Sequence, residues 1–157
     1  RDLKEIGLID RVPKILGVQS LGCCPFVTAA TGDGKLVPAE ENTLADSIAV
    51  GIPRNPVKAL RAIRESHGAW IAVSDNDILE GMKLLGRTEG VFSEPAAASV
   101  TAGVKQAVQD GIIKKSESVT IISTGSGLKD VKNALKAVTR PVPCEPTIEA
   151  LEASGIL

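Results

Sequence analysis

"IISTGSGLKD", residues 121–130, is the stretch that decides the fold. A run of β-branched residues stops at the hydroxyl pair Ser123-Thr124. Gly125-Ser126-Gly127 follows, and then the opening of a helix. This order predicts a strand over 118–124, a tight turn, and a helix over 127–138. The turn has two readings. Its backbone N–H groups can receive an anion at the start of the helix, or Thr124 merely ends the strand while Ser126 or Gly127 caps the helix. No Walker lysine–serine pair follows the glycines, so the turn alone leaves both readings open.

The same grammar recurs along the chain. "KILGVQS" (14–20) and "AWIAVS" (69–74) read as short strands. "CCPFVTAATG" (23–32) reads as a helix with Pro25 in its first turn and Gly32 at its end. "TLADSIAVG" (43–51) reads as a helix capped by Thr43 and stopped by Gly51. Asn55 and Pro56 open a helix that runs to Gly68. Ser74 caps another, in which Ile78, Leu79, Met82 and Leu85 share a face. Pro95 opens a helix over 94–111, and a last one is expected over 147–155. Strands alternating with helices imply an α/β architecture: a mostly parallel twisted sheet flanked by helices. Residues 1–138 form the domain, and 139–157 form a Pro-rich tail with a short helix. In such sheets ligands gather beyond the carboxyl ends of the strands, which puts Ser123, Thr124 and the glycines at the mouth of a site.

Composition narrows the function. The chain has 157 residues, enough to bury about 70% of the surface its unfolded form exposes. Eighteen basic side chains balance 19 acidic ones, so neither nucleic acid nor an anionic membrane is expected as a partner. Phe26, Trp70 and Phe92 are the only aromatics, too few for base stacking. Cys23, Cys24 and Cys144 lack metal or disulfide spacing and read as free thiols of a cytoplasmic protein. No apolar run approaches the ~20 residues of a membrane span. The chain opens on Arg1 in mid-helix without a methionine, so it is expected to be part of something longer.

"STGSGLKD" closely resembles the late segment of threonine synthases, which belong to the fold-type II (tryptophan synthase β-like) pyridoxal-phosphate enzymes. "IGLIDRVPKILGVQS" (6–20), "TLADSIAVGIPRNP" (43–56) and "EGVFSEPAAASVTAG" (89–103) resemble the same family in the same order. The resemblance spans most of residues 1–138 and makes this chain the carboxy-terminal half of such an enzyme. It implies pyridoxal 5'-phosphate (PLP) as cofactor, and conversion of O-phosphohomoserine and water to threonine and phosphate by γ-elimination and β-replacement. It also implies an amino-acid phosphate as the substrate and a homodimer as the assembly.

The resemblance assigns residues as well. Thr124 offers its hydroxyl to the pyridine nitrogen. An alcohol does not enforce a pyridinium as a carboxylate would, so the ring is a milder electron sink. Gly125 lets the backbone pass close to the ring. Glu94, with Pro95, enters the helix beneath the cofactor, although an acid and a proline at a helix start need no further reason. Gly51 lies on a loop near the ring, or is a plain helix stop. The Schiff-base lysine is expected upstream of Arg1, so no catalytic residue is assigned in this chain and the chain alone is expected to be inactive. Lys129 lies near the motif but is not that lysine. Lys105, Lys132 and Lys136 read as solvated, and so does His67, in the last turn of its helix. Two alternatives stay open: a sibling lyase or synthase, such as a serine or threonine dehydratase or a cysteate synthase-like enzyme, and a non-enzymatic α/β module that binds a phosphorylated metabolite at 125–127.

Overall fold

Two strands, β1 (Leu16–Ser20) and β2 (Ala69–Val73), pair in parallel, with Leu16 opposite Ala69 and Ser20 opposite Val73. A parallel pair cannot be closed by a tight turn, and the helices and loops between the two strands make the crossover. The computed structural model describes residues 1–139 and 143–155. Its helices are α1 (Asp2–Glu5), α2 (Pro25–Thr31), α3 (Pro56–Glu65), α4 (Asp75–Glu89), α5 (Pro95–Gln109), α6 (Val131–Ala134) and α7 (Ile148–Ala153).

Helix starts follow local chemistry. Proline stands in the first turn of α2, α3 and α5, where its missing N–H is no loss. Ser74 and Asp77 form a reciprocal capping box on α4. The Ser74 hydroxyl accepts from the Asp77 amide at 3.1 Å, and the Asp77 carboxylate accepts from the Ser74 amide at 3.3 Å. Gly90 then ends α4 with φ of 67°. The Cys24 side chain does not cap α2, and Gln19 on β1 substitutes: its Oε1 accepts from the amides of Phe26 and Val27 at 2.9 and 3.1 Å.

The strand pleat divides the core. Gln19 and Trp70 point toward α2, where Trp70 stacks on Phe26 with ring centroids 4.5 Å apart. Val18 and Val73 face α4 and α5 and join Ile78, Met82, Ala98 and Ala102 in the main cluster. Complete burial of a side chain such as Ile78 contributes about 1.5–3 kcal/mol. Small residues on α5 let its neighbours approach. A Cβ at Gly103 would stand 2.5 Å from Val18 Cγ2, and one at Gly81 only 3.0 Å from the Ala98 carbonyl oxygen. The alanine-rich sequence of α5 is therefore a packing requirement as well as a helix preference.

Three expected elements differ. Residues 43–51 form only a 3₁₀ turn, Asp46–Ile48. The Thr43 hydroxyl and the Leu44 amide, which would have started a helix, are instead bonded to Asp75 at 2.6 and 2.9 Å. Residues 118–124 join no ladder among the described residues, and Val119, Ile121 and Ile122 are exposed. A β-branched run makes a strand only where a neighbour supplies the hydrogen bonds. The helix expected over 127–138 divides into a 3₁₀ turn, Gly127–Asp130, and α6, because Asp130 accepts from the Asn133 amide at 3.2 Å and caps a new start. His67 is exposed, as expected, but lies beyond α3 rather than in its last turn and has φ of 53°. The last helix is present as α7, and residues 140–142 of the Pro-rich stretch lie outside the described residues.

Candidate functional site

The turn after residue 124 is pinned to the approach to α5. The Glu94 amide donates to the Gly125 carbonyl at 2.9 Å, and the Gly127 amide donates to the Phe92 carbonyl at 3.0 Å. Ser93 and Ser126 thereby form an antiparallel bridge. Both glycines are required by close approach rather than by backbone angle. A Cβ at Gly125 would stand 2.0 Å from Glu94 Oε1, and one at Gly127 would enter the Phe92 ring.

Glu94 is the electrostatic centre of this lock. Its side chain is 7% exposed, and Lys129 Nζ lies 3.1 Å from its Oε2. A buried carboxylate needs such a partner. The position of Lys129 on the 3₁₀ turn supplies it, while 62% of its own side chain stays accessible. Beside this pair Ser93 Oγ is buried without a hydrogen-bond partner among the described residues. An orphaned hydroxyl of this kind is costly unless something else satisfies it.

A cleft of about 270 Å³ opens here. Asp46 and Ser47 form one wall, Lys129, Asp130 and Asn133 the other, and Glu94, Pro95 and Ala96 the base. Of the residues assigned from sequence, Glu94 lines the cleft directly and Gly125 abuts the Glu94 carboxylate. Thr124 precedes Gly125, is exposed, and does not line the cleft. Gly51 is set apart. It is buried, its amide donates to Glu41 Oε1 at 2.9 Å, and its carbonyl accepts from the Ala39 amide at 3.1 Å. A crossing of two loop segments, rather than a helix end, requires glycine there. A Cβ at that position would stand 2.0 Å from the Ala39 oxygen.

Sequence reasoning missed Asp46, Ser47, Ser93, Asp130 and Asn133. Nothing in their spacing marks them, because the two walls come from segments far apart in the chain; Asn133 Nδ2, for one, donates to the Leu44 carbonyl at 3.3 Å. Cys23 lies just beyond the end of β1, and burial pushes its thiol up, partly offset by a hydrogen bond with the Val50 backbone. It is a packing residue and no nucleophile. Among the described residues no cluster of His, Cys, Asp or Glu is able to hold a metal ion, and no helix is long and apolar enough to cross a membrane.

The class of protein follows from a family match: the model of the family "Pyridoxal-phosphate dependent enzyme" matches residues 1–125, and the chain belongs to that family. Particular relatives are more specific. Over 153 residues the chain is 39% identical to a threonine synthase of Methanosarcina acetivorans, covering 96% of this chain and 38% of that protein. It is 40% identical to a threonine synthase of Methanocaldococcus jannaschii, covering 97% and 38%, and 38% identical to one of Mycobacterium tuberculosis, covering 97% and 41%. The chain thus spans about two fifths of the length of the curated relatives it matches. Among solved structures, maize serine racemase superposes with a TM-score of 0.59 at 22% identity, over 78% of this chain and 36% of that one. A T.th. threonine deaminase superposes with a TM-score of 0.52 at 19% identity, over 82% and 43%. These two bear out the α/β fold with a parallel sheet flanked by helices, and the threonine synthase resemblance is borne out by the relatives.

Membership in this family makes PLP the cofactor. The residues present fit the ring side of such a group. The orphaned Ser93 hydroxyl offers an unused hydrogen-bonding group, and the cleft is lined mostly by polar side chains.

Proposed function

We propose that this chain is the ring-nitrogen side of a threonine synthase, an enzyme converting O-phosphohomoserine and water to threonine and phosphate. The observation that carries the reading is the lock between residues 92–94 and 125–127, which fixes the turn bearing Thr124 and Gly125 against a buried, ion-paired Glu94 at the edge of the cleft. The threonine synthases among the relatives support it.

When bound, PLP supplies an electron sink conjugated to the substrate's α-carbon. The chain's own residues act around it. The Thr124 hydroxyl would hold the pyridine nitrogen as a neutral hydrogen-bond partner, which would not enforce a full positive charge there as a carboxylate would. Gly125 leaves room for the Glu94 carboxylate against the turn, so that the turn bearing Thr124 packs closely on the start of α5. Glu94 is held still by Lys129, so that the turn bearing Thr124 keeps a fixed distance from α5. The cofactor's lysine and phosphate contacts come from the rest of the enzyme, so residues 1–157 alone turn over no substrate. The complete enzyme is a cytoplasmic homodimer in the same reading, which sedimentation of the full-length protein tests.

Borohydride reduction of the full-length protein, followed by peptide mapping, tests the proposal. A pyridoxyl-lysine outside residues 1–157 is expected, and Thr124→Ala should shift the cofactor's absorption while leaving that lysine labelled. No labelled lysine in protein isolated with PLP would sink the enzyme reading and favour a phosphate-binding module. A label on Lys129 would reverse the assignment of the two sides. Turnover of serine or threonine to a keto acid, with none of O-phosphohomoserine, would replace threonine synthase by a dehydratase.

A further inference from the structure

The Leu44 peptide groups are held from two sides. The Leu44 amide donates to Asp75 Oδ2 at 2.9 Å, and its carbonyl accepts from Asn133 Nδ2 at 3.3 Å. Each holder is itself aligned. Asp75 Oδ1 accepts from the Thr43 hydroxyl at 2.6 Å and from Ser20, the last residue of β1, at 3.3 Å. Asn133 donates from the same Nδ2 to Asp130 Oδ2 at 2.7 Å, and its backbone N–H donates to Asp130 Oδ1 at 3.2 Å. Hydrogen bonds therefore run from the end of β1, through Asp75, Leu44 and Asn133, to the 3₁₀ turn that follows Gly125.

This chain of bonds ties the two walls of the cleft together. Asp46 and Ser47, just beyond Leu44, form one wall, and Asn133 with Asp130 and Lys129 forms the other. Residues 43–51 make only one 3₁₀ turn of their own, so the segment is placed by what it meets: Ala45 is buried in the main cluster, and the Leu44 peptide groups are held by Asp75 and Asn133. We infer that Asp75 and Asn133 are positioning residues: by clamping Leu44 between them they set the width of the cleft. Neither needs to touch the reacting atoms. The inference rests on the reading of the cleft as part of the PLP site, and it adds two residues that act through the 43–51 segment.

The test uses the full-length protein carrying Asp75→Asn, Asn133→Leu, or both. Each change keeps the number and branching of the side-chain heavy atoms and weakens or removes one side of the clamp. The readouts are PLP affinity from the absorbance titration and thermal melting of the cofactor-free protein. Each single variant is expected to bind PLP about tenfold more weakly, the equivalent of about 1.4 kcal/mol. Because either loss frees the same segment, the double variant should also lie near tenfold, well short of hundredfold. Single variants that melt earlier but bind PLP as wild type does would overturn the inference, leaving the bonds merely structural. Additive losses near a hundredfold would overturn the shared clamp. Wild-type protein that takes up no PLP would instead overturn the functional reading beneath it, a result distinct from the other two.

Discussion

Gly125→Ala gives the most direct test of the lock at the site. The added Cβ would stand 2.0 Å from Glu94 Oε1, 2.2 Å from Cδ and 2.7 Å from Cγ. Ordinary contact begins at 3.4 Å, so the carboxylate must retreat by about 1.4 Å (3.4 − 2.0). Gly125 has no left-handed φ, so the cost is steric rather than conformational. The retreat has little room, since Glu94 is 7% exposed and its amide is bonded to the Gly125 carbonyl at 2.9 Å. Overpacking of this kind costs about 1–3 kcal/mol. In denaturant unfolding of the full-length protein Gly125→Ala should lose that amount, and its cofactor absorbance should change as the turn shifts. The same substitution in a Glu94→Ala background, where the space is vacant, should cost less than about 0.5 kcal/mol. Equal costs in the two backgrounds would refute the reasoning, because the clash with Glu94 would then not be the cause.

Other expectations follow from single features. His67 has φ of 53° and is exposed, so His67→Gly relieves about 1 kcal/mol of left-handed strain with little packing to lose. Thermal melts should show a gain of up to about 1 kcal/mol for His67→Gly, against a loss for the β-branched His67→Val, which keeps and worsens the strain. The Lys114 amide and the Lys14 ammonium hold Glu117 below its ordinary value of 4.5. Its stabilisation is thus complete above that value and is lost as pH falls through the lowered one, so Glu117→Gln should flatten stability against pH only below about 4.5. Thiol labelling should proceed in order of exposure, Cys144 before Cys24, with Cys23 protected until the chain unfolds; early reaction of Cys23 would contradict its burial. Gly103→Ala should cost about 1–3 kcal/mol, read by chemical denaturation, because the new Cβ meets Val18 at 2.5 Å.

Much of this was legible in the letters because the signals were local. Ser74 and Asp77 announce a capping box, Pro95 a helix start, and the apolar runs at 16–20 and 69–73 the two paired strands. Thr124, Gly125 and Glu94 stand in motifs, and the last two prove adjacent in space. What failed depended on distant partners. Thr43 looks like a helix cap, but Asp75 takes its hydroxyl; 118–124 looks like a strand, but no described segment pairs with it. Gly51 reads as a helix stop, whereas a crossing with Ala39 explains it. Asn133 carries no local signal for its role, since its partner Leu44 lies 89 residues away.

The unpaired run at 118–124 also bears on how the isolated chain behaves in a tube. Ile122 is 74% exposed, Val119 and Ile121 stand beside it, and no ladder occupies their amides among the described residues. An uncharged β-branched row with free backbone groups is a template for recruiting another strand. Residues 1–157 expressed alone should therefore self-associate at high concentration. The charges flanking the run, Lys114, Lys115 and Glu117 before it and Lys129 after it, act as gatekeepers that slow this association without preventing it.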